Sequence, residues 1–102
     1  MINTKLYLLA AWNPDGIQCD FKSGQAGNGQ EFVVGATDTS DLCFGIVLEY
    51  KRNNNRQDIN GATWNPSSKA CLAETWVTSL AGNPSWDACM FSGIERKPRV
   101  VY

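Results

Sequence analysis

This chain has no histidine. It therefore lacks the commonest general base at neutral pH and the commonest neutral metal ligand. Its cysteines, Cys19, Cys43, Cys71 and Cys89, form no Cys-x-x-Cys pair. With no histidine to complete a donor set, a zinc site is not expected, nor is any other metal or cofactor. Net charge is nearly absent: nine basic and ten acidic side chains leave a formal charge of -1. That balance removes the usual electrostatic ground for nucleic acid or an anionic membrane as partner. No apolar run approaches the roughly 20 residues of a membrane-spanning helix, so membrane insertion is not expected. The run Leu6–Ala11 after Lys5 is also shorter than the roughly 7–15 residues of a signal-peptide core, and no cleavage site follows it. It is read as a strand, with any signal already removed. No glycosylation acceptor exists, because Pro66 and Pro84 occupy the middle of the two Asn-x-Ser triplets.

What remains is suited to a small disulfide-bonded module. The 102 residues, 43% of them hydrophobic, suffice for one core and are too few for two. Two disulfides are the simplest use of the cysteines. Four cysteines allow three connectivities, and spacing alone does not choose among them. Disulfides imply an oxidising compartment, hence a secreted, extracellular protein.

The chain is organised around residues 61–76. Thr63 and Trp64 end one strand, Asn65-Pro66-Ser67-Ser68 turns, and Ala70–Val77 forms a second strand with Cys71, Ala73 and Thr75 on one face. The obvious partner for Cys71 is Cys43, on the best helical segment of the chain, which makes a helix stapled across a sheet. That helix is expected from about Thr39 to Tyr50. Thr37-Asp38-Thr39-Ser40-Asp41 supplies N-cap candidates, and Leu42, Cys43, Ile46, Val47 and Tyr50 recur on one stripe. Gly45 costs such a helix about 1 kcal/mol relative to Ala and suits a close approach to the sheet.

Strands are also expected at Asn3–Trp12, Ile17–Phe21, Glu31–Val34 and Trp86–Phe91, with a strand or arm at Ile94–Tyr102 that Pro98 interrupts. Lys22–Gln30 reads as a flexible glycine-rich loop; it lacks the Lys-Ser or Lys-Thr pair of a phosphate-binding loop. Ser79–Ser85 reads as a turn around Gly82-Asn83-Pro84.

These pieces together resemble the PAN/apple family of extracellular modules over residues 12–92, within a single domain of residues 1–102. The resemblance rests on Cys19-Asp20-Phe21, the capped helix bearing Cys43, the hairpin from Gly61-Ala62-Thr63-Trp64 to Cys71-Leu72-Ala73-Glu74, and Trp86-Asp87-Ala88-Cys89-Met90-Phe91. It implies an α+β fold, a curved antiparallel sheet packed against one helix, with disulfides Cys19–Cys89 and Cys43–Cys71. The extra helix–sheet bridge common in the family has no cysteines here. The family's modules bind protein or carbohydrate and are not enzymes.

For function, the cysteines, mixed charge and tryptophans point to a non-catalytic recognition module. Its contact surface is expected in the polar Lys51–Asp58 loop, through Arg52, Asn54 and Arg56, and in the nearby hairpin, through Trp64 and Trp76. Each tryptophan fits a core position as well, and the loop also fits a plain solvated connection. The alternative is a structural subunit of an extracellular fibre, sheath or coat, self-assembling through its terminal strands. An enzyme would need a carboxylate pair from Asp20, Asp41, Glu49, Glu74 and Asp87, or a Ser68–Lys69 dyad; all of these read as ordinary surface residues, and catalysis is not expected.

Overall fold

A computed structural model describes residues 16–93; the expected strands at Asn3–Trp12 and Ile94–Tyr102 lie outside the described residues. The elements in chain order are β1 (Gln18–Cys19), β2 (Lys22–Gly27), β3 (Gln30–Ala36), α1 (Ser40–Asn53), β4 (Ile59–Trp64), β5 (Ala70–Thr75) and β6 (Leu80–Ser92). They form a single α+β domain in which a curled, six-stranded antiparallel sheet packs against the helix. The strand order is β1-β6-β4-β5-β3, with β2 also paired to β6. Both disulfides have the expected partners, Cys19 with Cys89 and Cys43 with Cys71, each with a Cα–Cα distance of 5.4 Å.

Helix α1 begins where the sequence predicts. Thr39 is the N-cap, in extended conformation, and its hydroxyl accepts from the Leu42 N–H at 3.2 Å. Asp41 in the first turn and Lys51 and Arg52 in the last match the helix dipole. The buried side is rotated from the predicted stripe. Cys43, Gly45, Val47 and Leu48 are buried, and Phe44 packs edge-on against Phe91 at 5.4 Å. Ile46 and Tyr50 are partly buried against the core, as expected. Leu42 is 50% exposed. Each residue adds about 100° around the helix axis, so a contact side running from Cys43 through Val47 to Leu48 leaves Leu42 on its far rim.

The two glycine-rich stretches read as loop and turn are in fact strands, paired with each other. Lys22 to Gly27 runs antiparallel to the first part of β6, from Lys22↔Ala88 to Gly27↔Leu80. Neither stretch has the branched or aromatic side chains that mark a strand, and each is held by the other's backbone. Pro84 is accommodated because the register jumps between Ser23↔Asp87 and Gln25↔Gly82, leaving it in a bulge where no N–H is owed to the ladder.

The sheet has two unlike faces. Cys71 and Ala73 of β5 and Ala62 and Trp64 of β4 point toward α1 and join Ile17, Val47, Leu48, Ile59, Cys89 and Phe91 in the core. Their neighbours Leu72 and Glu74, with cross-strand partners Thr63, Gly61, Val33 and Glu31, occupy the opposite face.

Candidate functional site

At the end of the sheet away from the Asn65–Ser68 turn, the β2–β3 turn, the loop from α1 to β4 and the connection from β5 to β6 come together. The last of these carries Trp76, which is 72% exposed. Its φ of 54° lies in the left-handed region, which costs a bulky residue about 1–2 kcal/mol. Such a conformation persists only where its surroundings impose it.

The surroundings here are mainly asparagine amides. The Asn60 side chain brackets Val77, accepting its N–H at 2.8 Å and donating to its carbonyl at 2.9 Å. The Asn28 carboxamide accepts from the N–H groups of Thr78 at 2.9 Å and Ser79 at 3.2 Å, and donates to the Thr78 hydroxyl at 2.8 Å. The Thr75 hydroxyl donates to the Gln30 carbonyl at 3.1 Å. Gly29 lies so close that a Cβ there would fall 1.9 Å from the Thr75 carbonyl oxygen, so only glycine fits. The Trp76 N–H itself donates to the Asp58 carbonyl at 3.1 Å.

That last bond joins Trp76 to the polar loop. Arg56 grips Asp58 with two hydrogen bonds, at 2.9 and 2.8 Å, and its guanidinium lies 5.3 Å over the Phe32 ring. The Arg56 hydrogen bond holds the Asp58 carboxyl below its ordinary range. Lys51 turns its ammonium inward to the carbonyls of Arg56 at 3.2 Å and Ile59 at 2.8 Å. Burial lowers its pKa, with Asp58 opposing the shift.

Of the residues expected to bind, Arg56 and Trp76 thus come together here. Asn54 caps α1, donating to the Tyr50 carbonyl at 3.0 Å, and Arg52 is half-buried on the last helical turn. Trp64 is elsewhere. It is only 8% exposed, its indole N–H donates to the Thr37 carbonyl at 3.0 Å, and Lys69 covers its ring at 5.4 Å. At about 3.3 Å per residue, β4 sets it roughly 17 Å from the Trp76 end. It is a core residue and offers no open face. Asn28 and Asn60, which hold the exposed indole in place, carry no sequence signal beyond belonging to turn-rich stretches.

The carboxylates considered for catalysis are dispersed. Asp20 pairs with Lys22, and Asp87 accepts from the Gly24 N–H at 3.2 Å. Asp41 and Glu49 are exposed, whereas Glu74 is fully buried. The Ser68 hydroxyl accepts from the Ala70 N–H at 3.3 Å, while Lys69 lies over Trp64. Among the described residues, no group of three or more Cys, Asp or Glu is placed to hold a metal ion, and no helix is long and apolar enough to cross a membrane. Comparison with protein-family models, curated proteins and solved structures gives no match for this chain.

Proposed function

We propose that this chain is a secreted, non-catalytic recognition module of PAN/apple type that binds carbohydrate or an extracellular protein through the Trp76 end of its sheet. The observation that carries this reading is the presentation of Trp76. A large apolar ring stands in solvent on strained backbone, and Asn28, Asn60 and Asp58 all hold that backbone in place. Strain of this kind brings no gain in packing, and it accumulates where a surface is preorganised for a ligand. An indole so fixed stacks on the C–H face of a sugar or fills a pocket on a protein with little further ordering cost. The Arg56–Asp58 pair beside it supplies directional polar contacts.

Trp76→Ala tests the reading on a glycan array and against candidate surface proteins. At a hot spot worth about 2 kcal/mol or more, affinity should fall at least ~30-fold, with the unfolding midpoint little changed. Unaltered binding by this variant would place the contact surface elsewhere.

A second reading has its own support. Strand β3 ends the sheet order, and among the described residues nothing pairs with its outer edge. It is seven residues long, and Val33 on it is 64% exposed. Such an edge is a template for strand addition, as self-assembly into a fibre or coat would require. Concentration-dependent mass in solution separates the two readings, since a recognition module stays monomeric.

A further inference from the structure

Glu74 lies on the sheet face turned away from α1, opposite Glu31 on one side and Gly61 on the other. It is fully buried. Its Oε2 accepts from the Thr63 hydroxyl, and among the described residues its Oε1 has no donor. A Cβ on Gly27 would sit 3.0 Å from Oε1 and 3.3 Å from a Val77 methyl. Strand β2 and the β5–β6 connection thus close directly over the carboxyl group.

The elements around it bring no compensating charge. β2 presents Gly27, β4 presents Gly61 and Thr63, the connection presents Val77, and β3 presents Glu31, a second acid. A buried carboxylate with the Thr63 hydroxyl as its one donor, and with the exposed Glu31 as its cross-strand partner, is strongly disfavoured. A neutral acid avoids that cost, and its proton can be shared with the Glu31 side chain. The Glu74 carboxyl is accordingly pushed up to about 8, mainly by burial and then by Glu31, with the Thr63 hydrogen bond opposing.

The groups that seal Glu74 also hold Trp76. Gly27 precedes Asn28, which grips Thr78 and Ser79; Val77 is the residue bracketed by Asn60. Only Thr75 separates Glu74 from Trp76. We propose that Glu74 is a proton-operated latch on the Trp76 segment. Protonated and bonded to Glu31, it lets β2 and the β5–β6 connection close. Once it loses its proton, the buried charge draws in water, parts β2 from the connection and frees Val77, Thr78 and Ser79 from their asparagine clamps. The latch depends only on these contacts; that it also gates ligand binding rests on the reading of Trp76 as the contact residue.

NMR titration of the intact protein from pH 5 to pH 9.5 tests the latch without any ligand. The Glu74 side-chain carboxyl carbon should titrate near pH 8, and the Val77, Thr78 and Ser79 amide signals should shift and broaden in the same transition. In Glu74→Gln, which cannot ionise, those amides should show no transition. Glu31→Gln removes the like charge and should move the wild-type transition toward acid. The latch is overturned if Glu74 titrates in the ordinary carboxylate range, if the three amides ignore its titration, or if their transition survives in Glu74→Gln. Glycan binding that stays unchanged through the amide transition would count against the Trp76 reading and leave the latch standing.

Discussion

At Trp76 the demands of stability and of the proposed recognition role part at a single residue. Its backbone would suit glycine, and its side chain contributes little buried surface. Trp76→Gly removes the left-handed strain while adding freedom to the unfolded chain, effects of about 1–2 and 0.5–1 kcal/mol that oppose each other. Its unfolding free energy in urea should therefore equal that of the wild type or exceed it by up to ~1.5 kcal/mol, although the proposed contact is gone. A clear loss of stability would mean that the indole packs more than its exposure suggests. Little of this was readable beforehand. Trp64 and Trp76 each sit near one end of a strand in the same hairpin, and nothing local distinguishes the one bonded to Thr37 from the one turned into solvent. What separates them is contact with residues far away in sequence.

At the scale of the element, α1 shows what periodicity can and cannot specify. The start follows from Thr39 and Asp41, which act locally, whereas the helix runs on to Asn53 and takes in Lys51 and Arg52, which the sequence reading placed in the polar loop. The orientation of the helix follows from tertiary contacts, chiefly the Cys43–Cys71 bond and the Phe44–Phe91 pair, so the predicted stripe was off by part of a turn at Leu42. Leu48→Ala should cost about 2–5 kcal/mol as a buried truncation, whereas Leu42→Ala should change stability by less than ~1 kcal/mol. Parallel urea titrations decide this, and a larger loss at Leu42 than at Leu48 would restore the predicted orientation. Strand β2 and the first part of β6 are the harder lesson. Their strand character resides in mutual backbone pairing, which side-chain patterning does not encode.

For the molecule as a whole, the buried acid sets the direction of pH dependence. Glu74 ordinarily titrates near 4.5 and in the fold near 8, so the native state holds the proton more tightly than the unfolded chain. Its contribution to stability is complete below about pH 4.5 and is lost as pH rises through about 8. Unfolding free energies should fall between pH 5 and pH 9, and Glu74→Gln should flatten that decline. A wild type growing steadily more stable toward pH 9 would contradict this sign. The global architecture was the part most open to inference: the α+β class and both disulfide pairs are what the resemblance to PAN/apple modules implied. The buried acid was not, because Glu74 alternates with Cys71 and Ala73 like any outward-facing strand residue until β2 is known to cover it.

The bond between Cys19 and Cys89 has a mechanical consequence. The strands that carry these cysteines are neighbours, and a Cβ on Gly93 would lie 3.0 Å from the Gly16 carbonyl oxygen. Tension applied at Gly16 and Gly93 would therefore run through β1, the last residues of β6 and one S–S bond, leaving the helix and the rest of the sheet outside the load path. The module would act as a short inextensible link while carrying its Trp76 surface unstrained. Pulled at those two points under oxidising conditions, it should extend by no more than the few residues outside the bond allow, roughly 24 Å at ~3.4 Å per residue. After reduction, the 70-residue separation between the cysteines should be released as about 240 Å of new chain, at ~3.4 Å per residue. Extension of that size before reduction would show that the link does not carry the force.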